Sequence, residues 1–334
     1  SDVHRNRQQK HTANPLYAIL KRPRQQRMKI FITLILFPFI AFGQPKTDFK
    51  KLVEETNHYL TQYSKLIPFG DEYYPISGFG LSKKEIKELL LDADYDATLS
   101  DNKDSIQSHF MIGYFQGKIE EQINKIVKHP NFRQVNIKEL IKSDELSIVV
   151  SEDNKLINFS FDEKTGGTYR SQISITHYTD FIPKDSVQLS EFNSFFSSDG
   201  YNGIYTLNTD EGTKYVLTGY VRGCSYCFET FVRLIVFKDN KFKEEFMYSV
   251  NNRDWNDGVL YNHDTKTIVV DYHIDDLTPF CYCSGEIDED KFNFDRFADN
   301  KFSINCQCRF IFNGSTFELV EESWKKVNNE DRKE

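Results

Sequence analysis

Apolar residues recur at helical spacing in the first part of the chain and at strand spacing in the rest. From residue 48 to 65, Phe49, Leu52, Val53, Thr56, Tyr59, Leu60 and Tyr63 fall on one face of a 3.6-residue period, behind Asp48 as N-cap. A second helix is predicted from Ser82, where Ser82-Lys-Lys-Glu85 fits a capping box and Ile86, Leu89 and Leu90 form the apolar face. A third runs from about Asp104 to Lys128 through Ile106, Phe110, Tyr114, Ile119, Ile123 and Val127, stopping before Pro130. A short helix is expected around Asn136 to Ile141. Residues 44–142 are therefore expected to be a helical region.

After Ser143 the pattern changes to short runs of Val, Ile, Phe, Tyr and Thr, broken about every ten residues by turn clusters. These clusters are Glu152–Lys155, Asp162–Gly167, Thr209–Gly212, Asp239-Asn240, His263-Asp264 and the hairpin signal Asn313-Gly314. The runs group into three four-strand meanders: 146–151, 156–161, 169–178 and 186–190; then 203–208, 214–221, 229–238 and 241–250; then 258–262, 267–274, 303–312 and 316–322. Four-strand repeats resemble propeller blades, yet three cannot close a ring that uses four or more. The expected fold class is α+β, mainly β: N-terminal helices followed by antiparallel β-meanders over 143–325, propeller-like or sandwich-like, open rather than closed. The helices are expected to cover a sheet edge, and 326–334 reads as a polar tail.

Near the N-terminus, Met28-Lys29, the apolar run Ile30 to Phe42 and the small residues Ala41 and Gly43 have the form of a secretory signal over 28–43. The run is short for a bilayer span and contains Pro38, so no stable membrane anchor is expected after cleavage. Residues 1–27 read as an upstream extension. Charge divides at the same place: residues 1–43 carry a net +7 and the following 291 a net −15. So acidic a body repels phosphate backbones and anionic lipid heads, which argues against nucleic-acid and membrane-surface partners.

An exported chain changes the reading of the six cysteines, Cys224, Cys227, Cys281, Cys283, Cys306 and Cys308, because thiols pair in an oxidising compartment. Cys281-Tyr-Cys283 and Cys306-Gln-Cys308 each put two sulfurs on one face of a strand. If those strands were antiparallel neighbours, Cys281 would face Cys308 and Cys283 would face Cys306. Cys224 and Cys227 flank a turn. Fifteen connectivities remain open. Structural disulfides are the expectation, and the alternatives are a zinc module or a redox pair.

The segment Asp271-Tyr-His273-Ile-Asp275 would line one face of a strand with two carboxylates and an imidazole. That set could hold zinc or another divalent metal or do acid-base work, and the plainer alternative is a solvated strand face. The other histidines of the mature chain, His58, His109, His129, His177 and His263, lack metal-ligand spacing. No nucleophile elbow, Walker loop or dinucleotide fingerprint occurs.

The signal ending Ala41-Phe-Gly-Gln44, the stretch Lys155-Leu-Ile-Asn-Phe-Ser-Phe-Asp-Glu-Lys-Thr-Gly-Gly-Thr168, and the runs Gly203–Thr209 and Lys214–Tyr220 resemble secreted β-rich proteins of Bacteroidetes-type bacteria that have no assigned activity. The similarity covers about residues 145–250. It implies a periplasmic or extracellular place and supplies no catalytic residues; the cysteine pairs depart from it. The functional expectation is a non-enzymatic secreted protein, without cofactor, that binds a protein or a glycan through exposed aromatics. The alternative is a secreted metal-dependent hydrolase using Asp271, His273 and Asp275, or a cysteine zinc module.

Overall fold

The computed structural model describes residues 46–67, 72–92, 104–166, 170–181, 200–223, 228–252, 258–274, 283 and 302–328. The expected signal and the expected strand at 186–190 lie outside them. Helix α1 (Lys46–Tyr63) is followed by the short strand β1 (Tyr73–Pro75), α2 (Lys83–Asp92), β2 (Ser105–Gln107), α3 (Ser108–Lys128) and a turn of helix, α4 (Ile137–Leu140). The capping box of α2 is formed: Ser82 N–H donates to Glu85 Oε2 at 2.8 Å, and Glu85 N–H donates to Ser82 Oγ at 3.3 Å. No helix among the described residues is long and apolar enough to cross a membrane.

One correction concerns residues 104–107, expected to open the third helix. Residues 105–107 instead form β2 and pair antiparallel with β1, Ile106 opposite Tyr74. Ile106 is wholly buried in either conformation's pattern, so apolar spacing alone could not distinguish strand from helix there.

The strands that follow make three separate antiparallel meanders. The first holds β3 (Ser147–Val150), β4 (Leu156–Asp162) and β5 (Gln172–Tyr178). The second holds β6 (Tyr201–Thr209), β7 (Gly212–Arg222), β8 (Phe228–Lys238) and β9 (Lys241–Asn252), in that order across the sheet. The third holds β10 (Gly258–Asn262), β11 (Thr267–Ile274), β12 (Phe302–Phe312) and β13 (Phe317–Asn328). None closes into a barrel, and the α+β, mainly β class is the observed one. The turn chemistry explains the breaks. Asp239 and Asn240 both take positive φ, 56° and 59°, which is the backbone of a two-residue hairpin turn whose twist matches the flanking strands.

Strand alternation gives the first two sheets two buried faces each and the third one, leaving Leu260, Val269, Ile311 and Val320 exposed on its outer side, and three cores result. The helices do not cover an edge, as expected, but a face. Ile157, Phe159, Phe161 and Ile175 of the first meander pack with Leu60, Tyr63, Phe115 and Ile119 of α1 and α3. Odd-numbered residues of β4 point to that side, so a face is what four apolar side chains could bury. Full burial of each Phe contributes roughly 1.5–3 kcal/mol. The second core joins the first and second meanders through Leu156, Tyr201, Tyr215, Leu217 and Phe231. The third joins the second and third through Val216, Val232, Val250, Val259, Ile268 and Phe310. The order is therefore helices, meander, meander, meander, each lying on the next.

A buried lysine fastens the first two layers of this stack. Lys164 Nζ donates to the carbonyls of Tyr63 and Leu66, each at 2.8 Å, and lies 3.4 Å from Glu145 Oε2. An ammonium there satisfies carbonyls that the end of α1 leaves without helical partners.

Candidate functional site

The first strand of each meander is an edge strand, and Tyr205 of β6 meets Tyr261 of β10 beside the β3–β4 turn. Glu152, in the β3–β4 turn, accepts the Thr206 N–H of β6 at 3.4 Å and lies 3.6 Å from His263 Nε2, in the β10–β11 turn. The Tyr205 ring stacks on His263 at 5.4 Å and meets Tyr261 edge-on at 5.1 Å. His263 Nδ1 and the Tyr261 hydroxyl are 3.2 Å apart. Burial, followed by the charge of Glu152, pushes the Tyr261 phenol well above its ordinary range, so it stays protonated as a donor.

Beside this cluster a cleft of about 440 Å³ opens between the second and third meanders. Its aromatic lining is Tyr205, Tyr220, Phe228 and Tyr261, and its polar lining is Asn202, Thr218 and Thr230. Thr218 Oγ donates to Asn202 Oδ1 at 2.7 Å, which orients the amide. Two glycines make the walls thin. A Cβ at Gly203 would lie 2.7 Å from Thr218 Oγ1 and 2.8 Å from the Tyr205 ring, and one at Gly258, where φ is +149°, would lie 2.6 Å from Thr230 Oγ1. Neither position can take a side chain without displacing a residue of the lining. Tyr220 is 51% exposed, although Tyr is a large apolar group that a strand interior would ordinarily bury.

On the other side of Tyr220 and Asn202, which line both, is a second cleft of about 540 Å³ between the first and second meanders. Ser147, Ser160, Asp162, Arg170 and Gln172 come from the first meander, and Tyr201 and Arg222 from the second. Arg170 Nη1 lies 3.1 Å from Asp162 Oδ2, and the Arg170 N–H donates to the Arg222 carbonyl at 2.7 Å. This cleft has a polar floor because the even-numbered residues of β4 and β5 face the second meander. Buried Asn158 donates to Ser174 and Thr176 there, at 2.7 and 2.9 Å.

The residues singled out in the sequence fall elsewhere. Cys283 is bonded to Cys308, with Cα atoms 5.4 Å apart, and Cys306 is also disulfide-bonded. Cys224, Cys227 and Cys281 lie outside the described residues. The observed bond replaces the pairing expected of antiparallel neighbours, Cys283 with Cys306. Both sheet neighbours of β12 are already taken, by β11 and β13, so Cys308 stands opposite Val270 and Glu322 in the ladder. Its sulfur points into the core between the second and third meanders, where buried Cys283 meets it.

Asp271 and His273 do share a face of β11, and Asp275 lies outside the described residues. Asp271 is bound within its own sheet: Asn305 donates to Oδ1 and Gln307 donates to Oδ2 at 2.9 Å, both from β12. Two amides on one carboxylate make a cross-strand polar network. Among the described residues no three His, Cys, Asp or Glu side chains are grouped to hold a metal ion.

Sequence reasoning missed the clefts because the lining of one is spread over four strands between 202 and 261 and that of the other runs from 147 to 222. The local signals were the glycines at 203 and 219 inside strand patterns, which mark close approaches. Comparisons with models of protein families, with curated proteins and with solved structures return no match.

Proposed function

We propose that this is a non-enzymatic, secreted glycan-binding protein and that the two clefts flanking Tyr220 are its binding site. The observation that carries this reading is the lining of the 440 Å³ cleft: four aromatic rings interleaved with an oriented amide and two threonine hydroxyls, with no carboxylate, imidazole or thiol among the described residues that line it. A sugar ring offers C–H faces that pack on aromatic rings and hydroxyls that pair with amides and alcohols, and Tyr supplies both an apolar body and a polar tip. A cleft of this size accepts a small ligand and fixes it by a few polar groups. Export is part of the proposal. The signal-like segment at 28–43 and the bonded cysteines both fit an oxidising, periplasmic or extracellular place.

A glycan array probed with the protein expressed into the periplasm, beside its Tyr205→Ala and Tyr261→Ala variants, tests the reading. Retention on a subset of glycans that falls at least tenfold in both variants is expected. Binding to none, or binding that both variants retain in full, would overturn it.

A further inference from the structure

Hydrogen bonds inside the 440 Å³ cleft decide which of its polar groups remain for a ligand. Thr218 Oγ1 donates to Asn202 Oδ1 at 2.7 Å, so the carbonyl of that amide is engaged and its two N–H groups are the part still open. Thr230 Oγ1 accepts the Val259 N–H at 3.0 Å and keeps its own O–H as a second donor. That bond needs the close approach of Gly258, where a Cβ would stand 2.6 Å from Thr230 Oγ1. Asn202, Thr218, Thr230 and Val259 all line the cleft.

Apolar surface shares the cleft with these donors. Leu260, 70% exposed, lines it together with Val259. A leucine so open to water gains from an apolar group that covers it. A sugar hydroxyl both donates and accepts, so a donor or an acceptor serves it equally. An acetamido group is more demanding: its carbonyl oxygen only accepts, and its methyl group only packs. An oriented amide N–H and an open leucine in one cleft meet both demands.

Resting on the glycan reading above, we infer that the sugar is N-acetylated: its acetamido carbonyl accepts from Asn202 Nδ2, its acetamido methyl covers Leu260, and its ring packs on Tyr205 or Tyr261. The Thr230 O–H is then the donor for a ring hydroxyl. Thr218 is a positioning residue, because it acts through the amide that it orients. A cleft of about 440 Å³ has room for one hexose ring with its acetamido arm.

NMR titration of the isotope-labelled protein tests this, with the methyl glycosides of N-acetylglucosamine, N-acetylgalactosamine and N-acetylmannosamine, each beside its parent hexose, and with chitotriose beside cellotriose. At least one acetylated sugar is expected to bind tenfold or more tighter than its parent. Asn202→Asp keeps the shape of the side chain and the bond from Thr218 but puts an acceptor where the donor was. It should abolish the preference for the acetylated sugar while binding the parent hexose within about threefold of the native protein, which guards against a folding defect. Leu260→Ser, at an exposed position, should reduce the preference at least threefold. Acetylated and parent sugars binding alike, or a preference that Asn202→Asp keeps in full, would overturn the acetamido assignment and leave the glycan reading standing. Binding of no sugar, acetylated or not, would overturn both.

Discussion

Lys214 Nζ lies 2.7 Å from Glu245 Oε2 in a side chain only 2% exposed. The same ammonium meets Glu211 at 2.8 Å and donates to the Ser315 carbonyl, also at 2.8 Å. Glu211 and Glu245 belong to the second meander and Ser315 to the turn between β12 and β13, so one cation joins two layers at the end of the stack away from the Tyr220 clefts. Burial alone would lower the lysine pKa, but the two carboxylates outweigh it and the pKa is raised.

Removing that cation while keeping its apolar stem should expose what it holds. Lys214→Met leaves two carboxylates facing each other across a buried methyl group, and a loss of about 2–3 kcal/mol is expected in urea unfolding. Binding at the clefts should not change. A loss under about 0.5 kcal/mol would mean the network is a surface pair of little consequence.

Lys164 gives a second, independent test, because it serves helix-end carbonyls of α1 instead of a sheet. Lys164→Ala should cost about 2–3 kcal/mol, since two carbonyls and Glu145 lose their buried donor. Amide hydrogen exchange should show the loss first at the end of α1. Uniform loosening across all three meanders would contradict the assignment.

His177 sits in the core between the first meander and the helices, with the Phe132 ring 5.8 Å away. Burial first, and then the nearby Arg133 charge, lowers its pKa from 6.5 to about 4. Between those values the unfolded chain takes up a proton that the folded protein refuses, so stability is full above pH 6.5 and falls as the pH drops toward 4. The loss approaches about 3 kcal/mol at one pKa unit per 1.36 kcal/mol. In His177→Gln that part of the pH profile should flatten; an unchanged slope between pH 6.5 and 4 would assign it to other groups.

The Cys283–Cys308 bond closes a segment of 25 residues. By the chain-entropy relation its removal in Cys283→Ser/Cys308→Ser should cost about 3.5 kcal/mol. Because the bond lies in the core between the second and third meanders, thermal unfolding of the variant should lose that interface before the helical layer. The opposite order of loss would show that the bond does not hold that seam.

What could be read from the sequence follows from the range of each signal. Meander boundaries were legible because turns are local: Asp239-Asn240 and Asn313-Gly314 state their backbone conformation in two residues, and Ser82 with Glu85 states a helix start in four. Strand β2 was not, since its partner lies some thirty residues earlier and Ile106 fits either period. Cys308 was read as facing a neighbouring strand. It faces across the layer instead, and alternation tells which side a residue takes but not what waits there. Asp271 and His273 were placed on one face, while the two amides that occupy Asp271 come from Asn305 and Gln307 on a strand more than thirty residues later. The clefts were least visible of all. Tyr205, Tyr220 and Tyr261 each look like ordinary strand aromatics until two meanders bring them to one place.

The central claim is that a sugar sits at Tyr220, and the most direct measurement is a crystal structure of the protein with the tightest oligosaccharide from the array. A ring packed on Tyr205, Tyr220 or Tyr261, with hydroxyls bonded to Asn202 or Thr218, is the predicted result. Ordered sugar elsewhere on the protein, with both clefts holding only water, would contradict it.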